Sequence, residues 1–221
     1  LFTSDQDIEK IGPVRSARMY YLDWLAEYPD ALYLHVGGSP EALDRIAQDG
    51  VRDVNEFFHA KAFWRDQTRS APHNVYTSSD QWEYINMNRV AAASAASSSV
   101  DSWLFEQKEP CQFSCVSNMT FTYIPRVYEA SWSYDASQNV YQRYDESAKR
   151  YKGEEGTPVV ASTVVLQRVP TEVVDAVGRL SLETISEGDA IVFTAGTMTN
   201  GTWKKDAVSQ RTRFFDGNQQ E

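Results

Sequence analysis

The sequence is short of the features that announce a function. No apolar run approaches the roughly 20 residues needed to cross a bilayer as a helix, and no charged-then-apolar leader opens the chain. Positive charge is scarce, with 21 Lys and Arg against 31 Asp and Glu and a formal charge of -10. A phosphate backbone would be repelled by that balance, so nucleic acid is not expected as a partner. Histidine (three) and cysteine (two) are few. There is no His-Glu-x-x-His, no paired cysteine set and no tight carboxylate cluster, so no metal site is expected. The glycines form neither a Gly-x-Gly-x-x-Gly dinucleotide fingerprint nor a Gly-Lys-Ser/Thr phosphate loop, and no Gly-x-Ser-x-Gly elbow surrounds a serine; no cofactor is expected. No repeat period emerges. The Asn-x-Thr triplets at Asn118 and Asn200 would matter only in a eukaryotic secretory pathway and are read as chance.

What the chain does have is material for a core. Hydrophobic residues make up 42% and charged residues 24%, the ordinary globular mixture rather than the signature of disorder. Aromatics are plentiful, with 12 Tyr, 10 Phe and 6 Trp, expected mostly in core and strand packing. Met19 to Leu25 carries apolar residues at three-to-four spacing before Pro29, which predicts a helix. Ala31 to Val36 predicts a buried strand ending at Gly37-Gly38. Ser39-Pro40-Glu41 then has the order of a helix start: a hydroxyl cap, a proline at the first helical position and an acid in the first turn. The aromatic block from Asp53 to Trp64 is expected to pack irregularly onto the core, and Ala71 to Asn74 is expected to be a loop. Trp82 to Val90 reads as a further helix and Ala91 to Ser99 as a helix end or linker.

After Pro110 the texture turns strand-like. Met119 to Tyr123, Tyr128 to Tyr134 and Val140 to Tyr144 alternate, with a polar hairpin connection at 135–139. Val159 to Val169 looks β-branched and buried; Gly188 to Phe193 and Gly201 to Trp203 predict two strands separated by a glycine-rich turn over 195–201. The predicted fold class is α+β: a mixed α/β first domain over residues 1–109 packed against a β-rich C-terminal domain over residues 110–221.

The residues that could carry chemistry are cationic. Arg15, Arg18, Arg65 and Arg69, with His35, His73, Asn74 and Ser39, fall in loops and element ends of the first half, where ligand groups are commonly displayed. Arginine offers a planar donor fork for carboxylate or phosphate, and a helix start at Ser39 adds unpaired amides. The bland alternative pairs Arg15 and Arg18 with nearby carboxylates, Asp23 and Glu27 among them. It makes His35 a core histidine satisfied by a carbonyl and Ser39 simply a cap. Cys111 and Cys115 are close enough to be bridged across a short loop if the chain is oxidised, and are otherwise two thiols.

These residues resemble a known family. Ile11-Gly-Pro-Val-Arg-Ser-Ala-Arg18, Asp30-Ala-Leu-Tyr-Leu-His-Val-Gly-Gly-Ser-Pro-Glu-Ala42, Phe63-Trp-Arg-Asp66 and Ala71-Pro-His-Asn-Val-Tyr-Thr77 look like the first domain of the YerB-like bacterial lipoproteins. Trp132-Ser-Tyr-Asp135 with Tyr141-Gln-Arg143, and Gly188-Asp-Ala-Ile-Val-Phe193 with Gly201-Thr-Trp-Lys204, look like their second. This is the two-domain DUF3048 family. The resemblance implies export, a lipidated cysteine ahead of the folded part as the only link to a membrane, further strands beyond Leu1 and Glu221, and no established reaction. The acidic, histidine-bearing stretch usual after the Tyr-x-Arg motif is replaced here by Lys149-Arg150-Tyr151-Lys152, and the Cys-x-x-x-Cys insertion is particular to this chain.

The function expected is a non-catalytic, extracytoplasmic binder of an anionic envelope polymer or peptide. The alternatives are an envelope hydrolase or transferase using His35 or His73 as base, and an interaction module that regulates a membrane-bound wall protein.

Overall fold

The computed structural model describes residues 7–82, 85, 106–124, 128–145, 147–153 and 156–221. Most of the helix predicted over 82–90, and the whole tract at 91–99, lie outside them. By compactness the chain divides into two units, and each draws on separate stretches of sequence. The first takes Leu1–Asp101, Thr171–Ile185 and Asp206–Arg211; the second takes Ser102–Pro170, Ser186–Lys205 and Thr212–Glu221.

The first unit is organised by a short βαβ crossover. β1 (Tyr33–His35) leads through Gly37-Gly38 into α2 (Pro40–Gln48), and the chain returns as β2 (Asp53–Asn55), parallel to β1 with Leu34 opposite Val54. The helix begins where cap chemistry places it: Ser39 is extended, its Oγ accepts from the Ala42 N–H at 3.3 Å, and Pro40 opens the first turn. α1 (Met19–Leu25) buries Leu22 with Ala17, Ala42 and Ile46. A second cluster joins Val54, Ala62, Phe63, Val75 and Ile85 under β3 (Trp64–Arg65) and β4 (Val75–Tyr76), an antiparallel pair. Residues 11–14 run beside β4, with Ile11 and Thr77 exchanging N–H···O bonds and the Val14 N–H donating to the Val75 carbonyl. One expectation fails here: Phe57 and Phe58 are 67% and 81% exposed, not core. The Asn55 Oδ1 accepts from the Gly37 and Phe57 N–H groups, and the turn that follows swings both rings outward. A hairpin absent from the sequence reading, β10 (Thr171–Val173) with β11 (Leu180–Leu182), also belongs to this unit.

The second unit contains two antiparallel four-stranded sheets. β5 (Asn118–Ile124), β6 (Tyr128–Asp135), β7 (Val140–Tyr144) and β8 (Val160–Ala161) lie in sequence order; the other sheet runs β14 (Arg213–Asp216), β13 (Thr197–Lys204), β12 (Glu187–Thr194), β9 (Thr163–Gln167). Met119, Tyr141, Val164 and Phe193 form the core that both sheets share, with Phe121, Trp132 and Tyr134 packed against it. The stretch from Val159 to Val169 is not a single buried strand: Val160 and Val165 are 49% and 42% exposed, because alternate residues of a one-sided sheet face water. The turn predicted over 195–201 is also shorter. β13 begins at Thr197, and two left-handed residues, Ala195 (φ 48°) and Gly196 (φ 78°), suffice, as a tight hairpin requires. Overall the described residues are β-rich with few helices.

Candidate functional site

The extended segment that carries Arg15 is fixed on both sides, by Val14 donating to Val75 and by the Val36 N–H donating to the Arg15 carbonyl at 3.1 Å. Its guanidinium is thereby brought to the loop before β4. Arg15 Nη1 lies 2.6 Å from His73 Nδ1 and 3.2 Å from Nε2; arginine has only donors, so the imidazole accepts. The neighbouring Asn74 presents Oδ1 to Arg65 Nη1 at 3.3 Å, and Arg65 Nη2 is paired with Glu56 Oε1 at 2.9 Å. Arg15, His73, Asn74 and Arg65 thus form one exposed strip across 58 residues of sequence.

Behind the strip the 66–74 loop is held by Asp66. Its backbone N–H donates to the Asn74 carbonyl, and its carboxylate accepts from Lys10 Nζ at 2.6 Å and from the Thr68 hydroxyl and N–H. Those hydrogen bonds, Lys10 first, hold the Asp66 carboxyl well below the usual carboxylate range. Lys10 also sits over the Tyr76 ring, 4.3 Å from its centroid.

Four of the candidate residues sit elsewhere or are placed only by their loop. Arg18 is the N-cap residue of α1, and its Nη1 donates to the Ala17 carbonyl at 2.8 Å. Beside it the Tyr33 phenol is pushed up to about 12 by burial and by the Tyr21 phenol, against a lowering hydrogen bond from the Arg18 backbone. His35 is fully buried, with Nδ1 2.8 Å from the Gly37 carbonyl, Nε2 3.0 Å from Asp53 Oδ2, and its ring stacked on Tyr33. Both nitrogens are engaged, which is the structural role. Ser39 is the cap described above. Arg69 lies in the 66–74 loop, its N–H directed at the Asp66 carbonyl. Asp23, offered by sequence as a partner for Arg15 or Arg18, instead binds Arg45 Nη1 at 2.7 Å and accepts from the Thr184 hydroxyl.

Sequence reasoning passed over Glu56, Lys10 and Asp66, which position the strip; nothing local distinguishes them from other surface charges. Cys111 and Cys115 are joined in a disulfide, with Cα atoms 5.7 Å apart. The bridged loop is bonded to the β12–β13 turn, Cys111 N–H to the Ala195 carbonyl and Val116 N–H to that of Gly196. Among the described residues no three His, Cys, Asp or Glu converge as a metal site would require.

Comparisons with known proteins cover nearly the whole chain. Residues 1–91 match the family model described as "Protein of unknown function (DUF3048) N-terminal domain", and residues 119–221 match that of the DUF3048 C-terminal domain. A protein of Bacillus subtilis (strain 168) named "Putative lipoprotein YerB" is 26% identical over 202 residues, 89% of this chain. The chain spans 59% of that relative's length. The crystal structure of the YerB protein from Bacillus subtilis superposes with a TM-score of 0.79 at 23% identity, over 96% of this chain and 70% of that one. Likeness at that identity speaks to fold alone. With both halves matched in order and the fold shared along their length, the chain belongs to the two-domain, YerB-like DUF3048 family.

Proposed function

We propose that the chain works outside the cytoplasm as an envelope lipoprotein, an α+β part joined to a β-rich one, and binds an anionic envelope ligand without transforming it. The lipoprotein name of the relative supports the address. The observation that carries the binding reading is the contact between Arg15 and His73. Arg15 meets an imidazole there rather than a carboxylate, so its charge is not cancelled. It offers its planar fork to a phosphate or carboxylate with the polar His73 and Asn74 side chains close by and with Arg65, which Glu56 already pairs, next to Asn74, on a chain whose net charge is negative. The test is equilibrium binding of the purified chain to isolated bacterial wall fragments, compared with an Arg15→Ala/Arg65→Ala variant. Each lost charge-assisted hydrogen bond costs about 1.5 to 3 kcal/mol, so the variant should bind at least about tenfold more weakly. Wild-type binding should also weaken with salt. Equal binding by both proteins rejects the site.

The hydrolase or transferase alternative loses His35 as a base, because both its ring nitrogens are already bonded. Incubation with wall material and analysis of soluble products separates the two readings, since a binder releases none. A docking role toward a membrane-bound wall protein is favoured by one feature, the exposed Phe57-Phe58 pair next to Glu56. Recovery of such a protein by the wild type, and not by Phe57→Ser/Phe58→Ser, would support it.

A further inference from the structure

The second unit carries a groove of different chemistry. Thr120, Ser131 and Tyr144 are register partners on β5, β6 and β7; Asn118, Ser133 and Gln142 make the next rung, and Thr122 with Glu129 the one on the other side. Residues two apart share a face, so this face is polar at each of these rungs while Met119, Phe121 and Trp132 turn to the core. A cavity of about 480 Å³ opens over it, floored by Asn118, Thr120, Ser131 and Ser133 with Glu129 and Tyr144 beside them, and Met119 and Trp132 also contribute to its lining. That volume is within the range of about 300 to 1,000 Å³ typical of small-molecule sites.

The lining selects a ligand class. Among the described residues no lysine or arginine lines the cavity, and Glu129 would repel an anion. Asp145, at the margin, is turned into its own loop: its carboxylate accepts from the Ser147 N–H and hydroxyl and from the Lys149 N–H. Among the described residues one outward carboxylate, Glu129, is therefore left, which is poor provision for a polyamine. The Thr120 and Ser131 hydroxyls are 2.9 Å apart, so each retains capacity to give or accept a further bond. Short side chains on a paired sheet lose little rotamer freedom when a ligand binds, and an aromatic ring beside them can cover the apolar face of a sugar. We infer that this groove binds a neutral oligosaccharide, at a place separate from the Arg15–His73 strip.

The test titrates the purified chain with chitotetraose, maltotetraose, cellotetraose and xylotetraose, and in parallel with spermidine, following amide resonances of Ser131 and Tyr144. At least one sugar should saturate these shifts at or below about 1 mM. Its affinity should change less than about twofold when salt is raised several-fold, because no ion pair is involved. Ser131→Leu, which fills the groove, should weaken that sugar at least about tenfold. Thr120→Val, which removes one hydroxyl and keeps a β-branched residue on an exposed strand position, should weaken it several-fold while melting like the wild type. The inference is overturned if no sugar saturates, if Thr120→Val and any folded Ser131→Leu bind as tightly as the wild type, or if spermidine saturates the groove and the sugars do not.

Discussion

Asp23 is 9% exposed, and its two oxygens are divided between Arg45 and Thr184, residues 22 and 161 positions away. Replacing it with alanine would leave the buried Thr184 hydroxyl without its acceptor and Arg45 with Asp49, 3.0 Å from its Nε, as its remaining carboxylate, a loss of about 1 to 3 kcal/mol. Urea unfolding of Asp23→Ala should show that loss, with exchange of amides in 180–184 accelerating; a change below about 0.5 kcal/mol would place the variant among ordinary surface substitutions. Tyr33 gives a pH-dependent counterpart. Its phenol is raised to about 12 by burial and by Tyr21, so the folded state holds the proton more tightly than the unfolded chain does. That stabilisation is complete below about pH 10 and disappears as pH rises from there towards 12. Thermal midpoints of Tyr33→Phe should therefore fall less steeply than those of the wild type across that window; parallel curves would refute the assignment. Residue roles were legible where the chemistry is local. Ser39 caps the helix that follows it, and Pro40 and Glu41 announce that start. His35 could be read only as a core histidine or a ligand, because its partner Asp53 arrives through the parallel pairing of β1 and β2, which neighbouring residues do not specify.

Elements followed the period of their sequences. The alternating runs of β5, β6 and β7 were found nearly to the residue, and the polar 135–139 connection turns as its composition suggests, with the Asp135 carboxylate accepting from the Ser137 and Gln138 N–H groups. The β10–β11 hairpin was missed for a physical reason: Glu172, Val173 and Val174 are all exposed, so no alternation marks it. The glycine-rich stretch over 195–201 misled because its glycines have separate duties. Gly196 sits in the turn at positive φ, whereas Gly201 lies inside β13, where a β-carbon would come within 1.9 Å of the Phe215 carbonyl oxygen on β14. Gly201→Ala should consequently separate β14 from β13 and destabilise by at least about 1 to 3 kcal/mol, the usual cost of overpacking. Hydrogen exchange at 213–216 reads this directly; unchanged protection there would show that the strands do not approach so closely.

At the scale of the whole molecule, a chain of charge -10 gathers Arg15 and Arg65 around His73 and Asn74. Composition showed that these cations lie in loops of the first half, and the motifs around them pointed to the family. Their meeting was not legible, because it depends on residues 11–14 lying against β4 and on Asp66 closing the loop that carries His73. Arg18, three residues beyond Arg15, begins a helix and serves a different neighbourhood. The most direct measurement follows the side-chain resonances of Arg15, Arg65 and His73 as inorganic polyphosphate is added, with the exposed Arg168 as a control. The three should move together along one saturable curve that weakens with salt, while Arg168 drifts without saturating. Binding of polyphosphate that leaves Arg15 and His73 unmoved, or shifts them no more than Arg168, would contradict the proposed receptor.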